Sequence, residues 1–299
     1  MEKLSKKLPK RLLTQVFFFL LQNPLLGNFI SGTIYQGELK RICTPGLNCY
    51  SCPAAVTSCP IGAMQFFLAG VKHSISLFVT GFLLSIGVVF GRLICGYVCP
   101  MGLVQDLLYK IKTPKYKTRL KYARYIKYVV LVLFVILLPL VIRHELTGQG
   151  DPWFCMYICP SGMLFGAFPL LAVNEVYRSM TGTLFIWKTA LTAFILLTSV
   201  PVYRFFCRVL CPLGAIYALL NPIAIVKMRC DKEKCISCGK CREACNQKLD
   251  PASKPNSPEC VRCGDCVKAC TKTNDTKALS YGITTPPAAS ASDHDSKHS

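Results

Sequence analysis

Cys235-Ile-Ser-Cys238-Gly-Lys-Cys241-Arg-Glu-Ala-Cys245 and Cys260-Val-Arg-Cys263-Gly-Asp-Cys266-Val-Lys-Ala-Cys270 carry one spacing twice, C-x2-C-x2-C-x3-C. Three closely spaced thiolates reach three corners of an iron–sulfur cubane, and a distant fourth closes it. In a double run of this kind the fourth cysteine of each copy serves the other cluster. The spacing therefore predicts one [4Fe-4S] site from Cys235, Cys238, Cys241 and Cys270, and a second from Cys260, Cys263, Cys266 and Cys245. Gly239 and Gly264 supply turn freedom between ligands. Four thiolates also suit zinc, but two complete copies of the run favour the cubane. Cys230 falls outside both copies and is read as incidental.

The chain before this run is of another character. Of 299 residues 52% are hydrophobic, with a mean hydropathy of +0.38. The apolar residues gather into runs at about 12–30, 75–94, 125–142 and 184–203. Each approaches the roughly 20 residues that cross about 30 Å of hydrocarbon. The expected architecture is an all-α polytopic membrane domain of about four transmembrane helices over residues 1–224. A small α+β two-cluster ferredoxin domain is expected at 225–282 and a disordered tail at 283–299. The N-terminus has a basic start and an apolar run without an A-x-A-like cleavage site, and reads as a retained anchor.

The net charge of +20 does not point to nucleic acid. Lys3, Lys6, Lys7, Lys10 and Arg11 precede the first run, and Lys110, Lys112, Lys115, Lys117, Arg119, Lys121 and Arg124 separate the second from the third. Basic residues beside apolar runs mark cytoplasmic loops, and no base-stacking motif accompanies them. The expectation is a multi-pass protein of the cytoplasmic (inner) membrane, with lipid as a partner and both termini cytoplasmic. Lys188, near the end of the fourth run, is expected to snorkel to the interface.

A short element recurs four times: Cys59-Pro-Ile-Gly, Cys99-Pro-Met-Gly, Cys159-Pro-Ser-Gly and Cys211-Pro-Leu-Gly. Cys95, Cys155 and Cys207 each stand four residues before one of them. The order reads as a tandem duplication of about 1–112 and 125–224, with parallel halves. Cys95, Cys99, Cys207 and Cys211 are then expected to converge at the inner membrane face as one cluster site. Cys43, Cys49, Cys52, Cys59, Cys155 and Cys159 gather at the outer face, where four of the six suffice for another. Disulfides are an alternative for these outer thiols. Pro after Cys sets a helix start, Gly permits close approach, and free helix amides favour an anionic cluster.

With Cys95-to-Pro100, Cys207-to-Pro212 and the two C-terminal quartets, the chain resembles the NapH/NosR-like 4Fe-4S ferredoxin-type polytopic membrane proteins over about residues 75–282. The resemblance implies electron transfer between a quinone pool or cytoplasmic donor and a redox partner at the other face. Two features depart from it: the segment from Cys43 to Cys52, and the pair Cys155 and Cys159. They favour export of electrons, with a flavin-bearing extracytoplasmic protein as a candidate partner.

The sequence thus predicts an electron-transfer protein with two to four [4Fe-4S] clusters, iron being held through these cysteines. Sites at opposite faces of the bilayer would be too far apart for one efficient hop, so either the apolar segments after Cys59 and Cys159 carry outer ligands inward as half-helices, or a quinone or a partner subunit bridges the gap. Quinone oxidoreduction is a second reading, with His73, His144 and Glu145 as proton-exchanging candidates. A redox-sensing or assembly protein is a third. No Ser/His/Asp set or phosphate loop is present, which removes hydrolases and nucleotide-driven pumps.

Overall fold

The computed structural model describes residues 10–70, 76–118, 120, 122–144, 148–273 and 278–283. His73, Glu145 and the tail from 284 onward lie outside the described residues, as do Arg119 and Lys121.

The expected four membrane-crossing helices are not what the chain builds. Among the described residues one helix, Ala123–Val141, is long and apolar enough to cross a membrane. Pro60–Ala69, Leu77–Phe90, Pro160–Val173 and Thr183–Ser199 are apolar but shorter, and the first run forms Lys10–Gln22. Terminators inside the runs explain the difference. The first helix ends at Gln22 because Asn23 precedes Pro24, and the residue before proline is driven out of helical backbone. The second ends at Phe90, where Gly91 takes a φ of +55°. The fourth ends at Ser199, two residues before Pro201. Hydropathy registers the apolar runs; it does not register where their backbone must turn.

Ala123–Val141 survives as one long helix despite Pro139. Proline has no N–H to offer the preceding turn, and the helix widens into a π stretch over Leu131–Leu137 just before it. Val129, Val132 and Val141 on this helix are exposed, while Val130 and Val135 are buried.

The helices enclose one apolar core. It holds Leu83, Met101, Val135, Phe154, Ile195, Phe206 and Leu213 together with Cys43, Cys59, Cys95, Cys99, Cys159, Cys207 and Cys211. The apolar helix faces therefore bury against a cysteine-lined centre.

The C-terminal unit is a two-stranded antiparallel sheet, Val226–Cys230 with Leu279–Ile283, in the register Met228↔Tyr281. Lys240–Ala244 and Asp265–Thr273 are its two helices. Gly239 and Gly264 directly precede them with φ of +73° and +83°. A β-carbon is strained in this region, so each C-x2-C-Gly turn can swing its chain into the helix that carries the next cysteine.

Buried polar contacts join this unit to the helical part. Fully buried Arg262 donates to the Phe90 carbonyl (3.0 Å), the Asn221 carbonyl (2.8 Å) and the Val226 carbonyl. Glu259 accepts from Lys127 at 2.8 Å and from Arg92 at 3.3 Å, and both cations are fully buried. One carboxylate thus ties the sheet unit to the long helix and to the segment leading into Cys95.

Candidate iron–sulfur centres

All four Cys-Pro-x-Gly elements fold alike. Cys59, Cys99, Cys159 and Cys211 each occupy the N-cap position with extended backbone, and Pro is the first helical residue. Proline's fixed φ suits that position and its missing N–H costs nothing there. The first turn then aims free amides back at the sulfur: the Gly214 N–H donates to Cys211 Sγ at 3.3 Å. The glycine is required by space at two places. A β-carbon on Gly102 would lie 2.8 Å from the Cys95 carbonyl, and one on Gly214 would lie 2.8 Å from the Cys207 carbonyl.

Cys95, Cys99, Cys207 and Cys211 come together. All four are buried, and each lies near enough to the others for their charges to interact. Of the six thiols assigned to the outer face, Cys49, Cys59, Cys155 and Cys159 form a second such set. Cys43 turns to Ser58 Oγ (3.7 Å) and Cys52 to Asn23 Oδ1 (3.6 Å), which leaves them outside it. The loop supplies Cys49 where the repeat has Ala55, four residues before Cys59. All nineteen cysteines are unpaired.

The two sets are neighbours rather than opposite-face sites. The Leu47 N–H donates to Cys99 Sγ at 3.4 Å, the Leu47 carbonyl accepts from Ser161 at 3.5 Å, and Cys49 is two residues further on. Two residues span roughly 7 Å at most. Tyr217 feels charge from Cys95, Cys99 and Cys211 of one set and from Cys59 of the other. Of the two ways of closing the gap weighed from the sequence, this closeness matches outer ligands carried inward.

The C-terminal cysteines line two cavities. Cys235, Cys238, Cys241 and Cys270 surround one of about 270 Å³. Cys245, Cys260, Cys263 and Cys266 surround a smaller one of about 20 Å³, together with Tyr203 and Gln247. These are the two sets expected from the spacing, including the exchange of the fourth cysteines. Cys230 abuts the first set, close to Cys235, Cys241 and Cys270.

Burial opposes ionisation of the thiols in these sets, and neighbouring cations offset part of that cost. Burial pushes the Cys159 and Cys207 thiols up to about 11 and Cys266 up to about 12. As free thiols they stay protonated at neutral pH, and it takes a positive ligand such as iron to hold them as thiolates. Fully buried Arg92 and Arg204 stand beside the Cys95 set and lower the cost of ionising Cys95. Lys188 and Lys40 do the same for Cys49. Lys188 does not snorkel away: its Nζ donates to the Cys155 carbonyl at 3.2 Å. His144 pairs with Asp151 at an exposed position, 3.1 Å apart.

The residues present fit iron–sulfur clusters. Each set offers four thiols, and the Gln247 amide in the second cavity has no protein partner for either of its polar atoms. Among the described residues no three His, Cys, Asp or Glu side chains gather tightly enough for a single metal ion. A cubane distributes its thiolates over four iron corners and needs no such convergence.

Sequence reading missed Arg92, Arg204, Gln65 and Gln105. The signal was present: Arg stands three residues before both Cys95 and Cys207, and Gln six residues after both Cys59 and Cys99.

A family model described as a 4Fe-4S binding domain matches residues 73–119, 146–171 and 183–228. These segments contain Cys95 and Cys99, Cys155 and Cys159, and Cys207 and Cys211. An uncharacterized protein of Methanocaldococcus jannaschii is 23% identical over 63% of this chain and 65% of its own. The putative electron transport protein YccM of Escherichia coli is 23% identical over 59% of this chain and 47% of its own. The methylamine utilization ferredoxin-type protein MauN of Methylorubrum extorquens is 27% identical over 54% of this chain and 49% of its own. The chain thus spans between about half and two thirds of these relatives. No solved structure matches it. The matches are thus to a 4Fe-4S binding domain and to relatives described as ferredoxin-type or electron transport proteins, and they do not single out the NapH/NosR-like branch.

Proposed function

We propose that this chain is a membrane-associated electron-transfer protein with four [4Fe-4S] sites. The sites are Cys235/Cys238/Cys241/Cys270, Cys245/Cys260/Cys263/Cys266, Cys95/Cys99/Cys207/Cys211 and Cys49/Cys59/Cys155/Cys159. The observation that carries it is the pair of four-thiol sets, one fully buried and the other buried at Cys59 and Cys159 and half-buried at Cys49 and Cys155, beside a unit whose two cavities are lined by four cysteines each. A [4Fe-4S] cluster supplies one-electron redox chemistry at each set when bound.

The chain's own residues hold the sets in series. Tyr97, between Cys95 and Cys99, donates to the Cys263 carbonyl at 3.4 Å. Leu47 links Cys99 to the Cys49 segment. Arg92 and Arg204 hold the carbonyls of Cys207 and Cys95. The apolar core buries all four thiols of the Cys95 set, and Cys59 and Cys159 of the other. Membrane association rests on Ala123–Val141 and on other exposed apolar side chains such as Phe17, Ile30, Phe66, Ile186 and Leu197, more than a water-soluble surface ordinarily carries. The basic residues before Ala123 support a cytoplasmic side for the ferredoxin-like unit. The acceptor would then be a protein meeting the Cys49 set.

Iron and acid-labile sulfide per purified chain, with electron paramagnetic resonance after reduction, test this reading. Four clusters are expected; two would remove the buried sites.

A further inference from the structure

Two glutamines occupy equivalent places in the two buried sets. Cys59-Pro-Ile-Gly-Ala-Met-Gln65 and Cys99-Pro-Met-Gly-Leu-Val-Gln105 share the pattern C-P-x-G-x-x-Q. Cys159 and Cys211 have Phe165 and Tyr217 at that position instead. Both glutamines are fully buried. Gln65 Nε2 donates to Cys155 Sγ at 3.2 Å and to the Ile61 carbonyl at 3.3 Å, while its Oε1 accepts the Phe154 N–H at 2.9 Å. Gln105 Nε2 donates to Cys207 Sγ at 3.0 Å and to the Met101 carbonyl at 3.2 Å, while its Oε1 accepts the Phe206 N–H at 3.1 Å.

The amide orientation is fixed by its partners. A backbone N–H only donates, so it must face Oε1, and a carbonyl only accepts, so it must face Nε2. The remaining Nε2 hydrogen is left for the sulfur. Each glutamine therefore does two things. It pins the backbone N–H of the Phe that precedes the cysteine in the second half of the repeat, and it aims one N–H at the cysteine sulfur.

We propose that Gln65 and Gln105 are positioning residues that set the reduction potentials of the two buried centres, one glutamine for each. The proposal rests on the reading of these sets as cluster sites. Reduction adds negative charge that is shared with the thiolate sulfurs. An N–H directed at one of them stabilises the reduced state more than the oxidised state and raises the potential. Cys207 is buried away from water that would take over this role, and Cys155 is half-buried against the same core.

The test is a redox titration of the purified holoprotein followed by electron paramagnetic resonance, with iron measured in each variant. Gln105→Leu is expected to move the potential of one buried centre to a more negative value and leave the other three unchanged. Gln65→Leu should move the other buried centre alone. Gln105→Glu keeps an oxygen for the Phe206 N–H but presents an acceptor to Cys207, and should lower the same centre as Gln105→Leu. A purely structural role predicts cluster loss or no shift. Unchanged potentials with all four clusters retained would overturn the proposal. If Gln105→Leu loses its cluster, Gln105→Met, which fills similar space, is titrated instead; loss in all three variants would assign a structural role and overturn it too. A wild-type protein with two clusters would instead sink the reading beneath it, so the two failures are distinguishable.

Discussion

Arg92 Nη2 donates to the backbone carbonyl of Cys207 at 3.1 Å. The repeat returns the contact, since Arg204 Nη1 donates to the carbonyl of Cys95. Each arginine stands three residues before the first cysteine of its own C-x3-C-P pair and holds the matching cysteine of the other pair. The two halves are thus interlocked by charged donors within the buried set. Arg204 also makes a forked contact to Asp106, at 2.8 and 2.6 Å, and Arg11 reaches the same carboxylate.

This predicts the cost of losing Arg204. Arg204→Leu leaves Asp106 buried with only Arg11 and Gln15 as partners, and removing one member of a buried ion pair costs about 3–5 kcal/mol. Arg204→Lys keeps the charge but not the fork, and should lose part of that. Denaturant unfolding of the purified protein in detergent measures both. Arg204→Leu as stable as the unmodified protein would show that the interlock contributes nothing.

Asp106 also gives a pH dependence. Burial opposes its ionisation, but Arg204 and then Arg11 and Gln15 outweigh burial and hold its carboxyl below the ordinary value. A depressed folded-state value adds stability that is fully present above the ordinary aspartate value, about pH 4. It is lost as the pH falls through the lower folded-state value. Asp106→Asn should therefore have a lower melting temperature at neutral pH, with the gap to wild type closing in strong acid. A gap that stays constant from pH 7 into acid would contradict the sign.

Three glycines test the packing. A β-carbon on Gly214 or Gly102 would meet a cysteine carbonyl at 2.8 Å, whereas one on Gly81 meets nothing within 4 Å. Forcing an extra carbon into a filled core costs roughly 1–3 kcal/mol, so Gly214→Ala and Gly102→Ala should destabilise the protein. Gly81 lies inside Leu77–Phe90, where alanine is favoured over glycine by up to about 1 kcal/mol. Gly81→Ala should raise the melting temperature while the other two lower it. Equal effects at all three sites would count against the tight approach of the repeats.

Much of this site was legible before the fold was known, because cysteine spacing is a local code. The two C-terminal quartets and the convergence of Cys95, Cys99, Cys207 and Cys211 follow from spacing and repetition alone. The span count did not, because a hydropathy window averages over Pro24, Gly91 and Pro201, where the backbone turns. The closeness of the Cys95 and Cys49 sets is likewise not encoded locally. It depends on Leu47 lying against Cys99, a contact across 52 residues that no local pattern encodes. The choice of Cys49 over Cys52 has the same origin, since only the folded loop shows which sulfur turns to Cys59 and which to Asn23.

Cysteine replacement separates the sets from their bystanders. Cys211 and Cys59 each belong to one buried set, and Cys43 and Cys52 to neither. Serine keeps the size but is a poor ligand for iron, whose clusters are held by thiolates. Cys211→Ser should therefore lose one cluster's iron and sulfide and keep three. Cys59→Ser should lose a different one, recognised by which resonance disappears. Cys43→Ser and Cys52→Ser should keep all four. The two replacements differ in what they disturb, because Cys52 neighbours Cys49 and the buried Lys40 whereas Cys43 meets Ser58. A cluster lost in Cys52→Ser and retained in Cys49→Ser would reassign the fourth ligand of that set from Cys49 to Cys52.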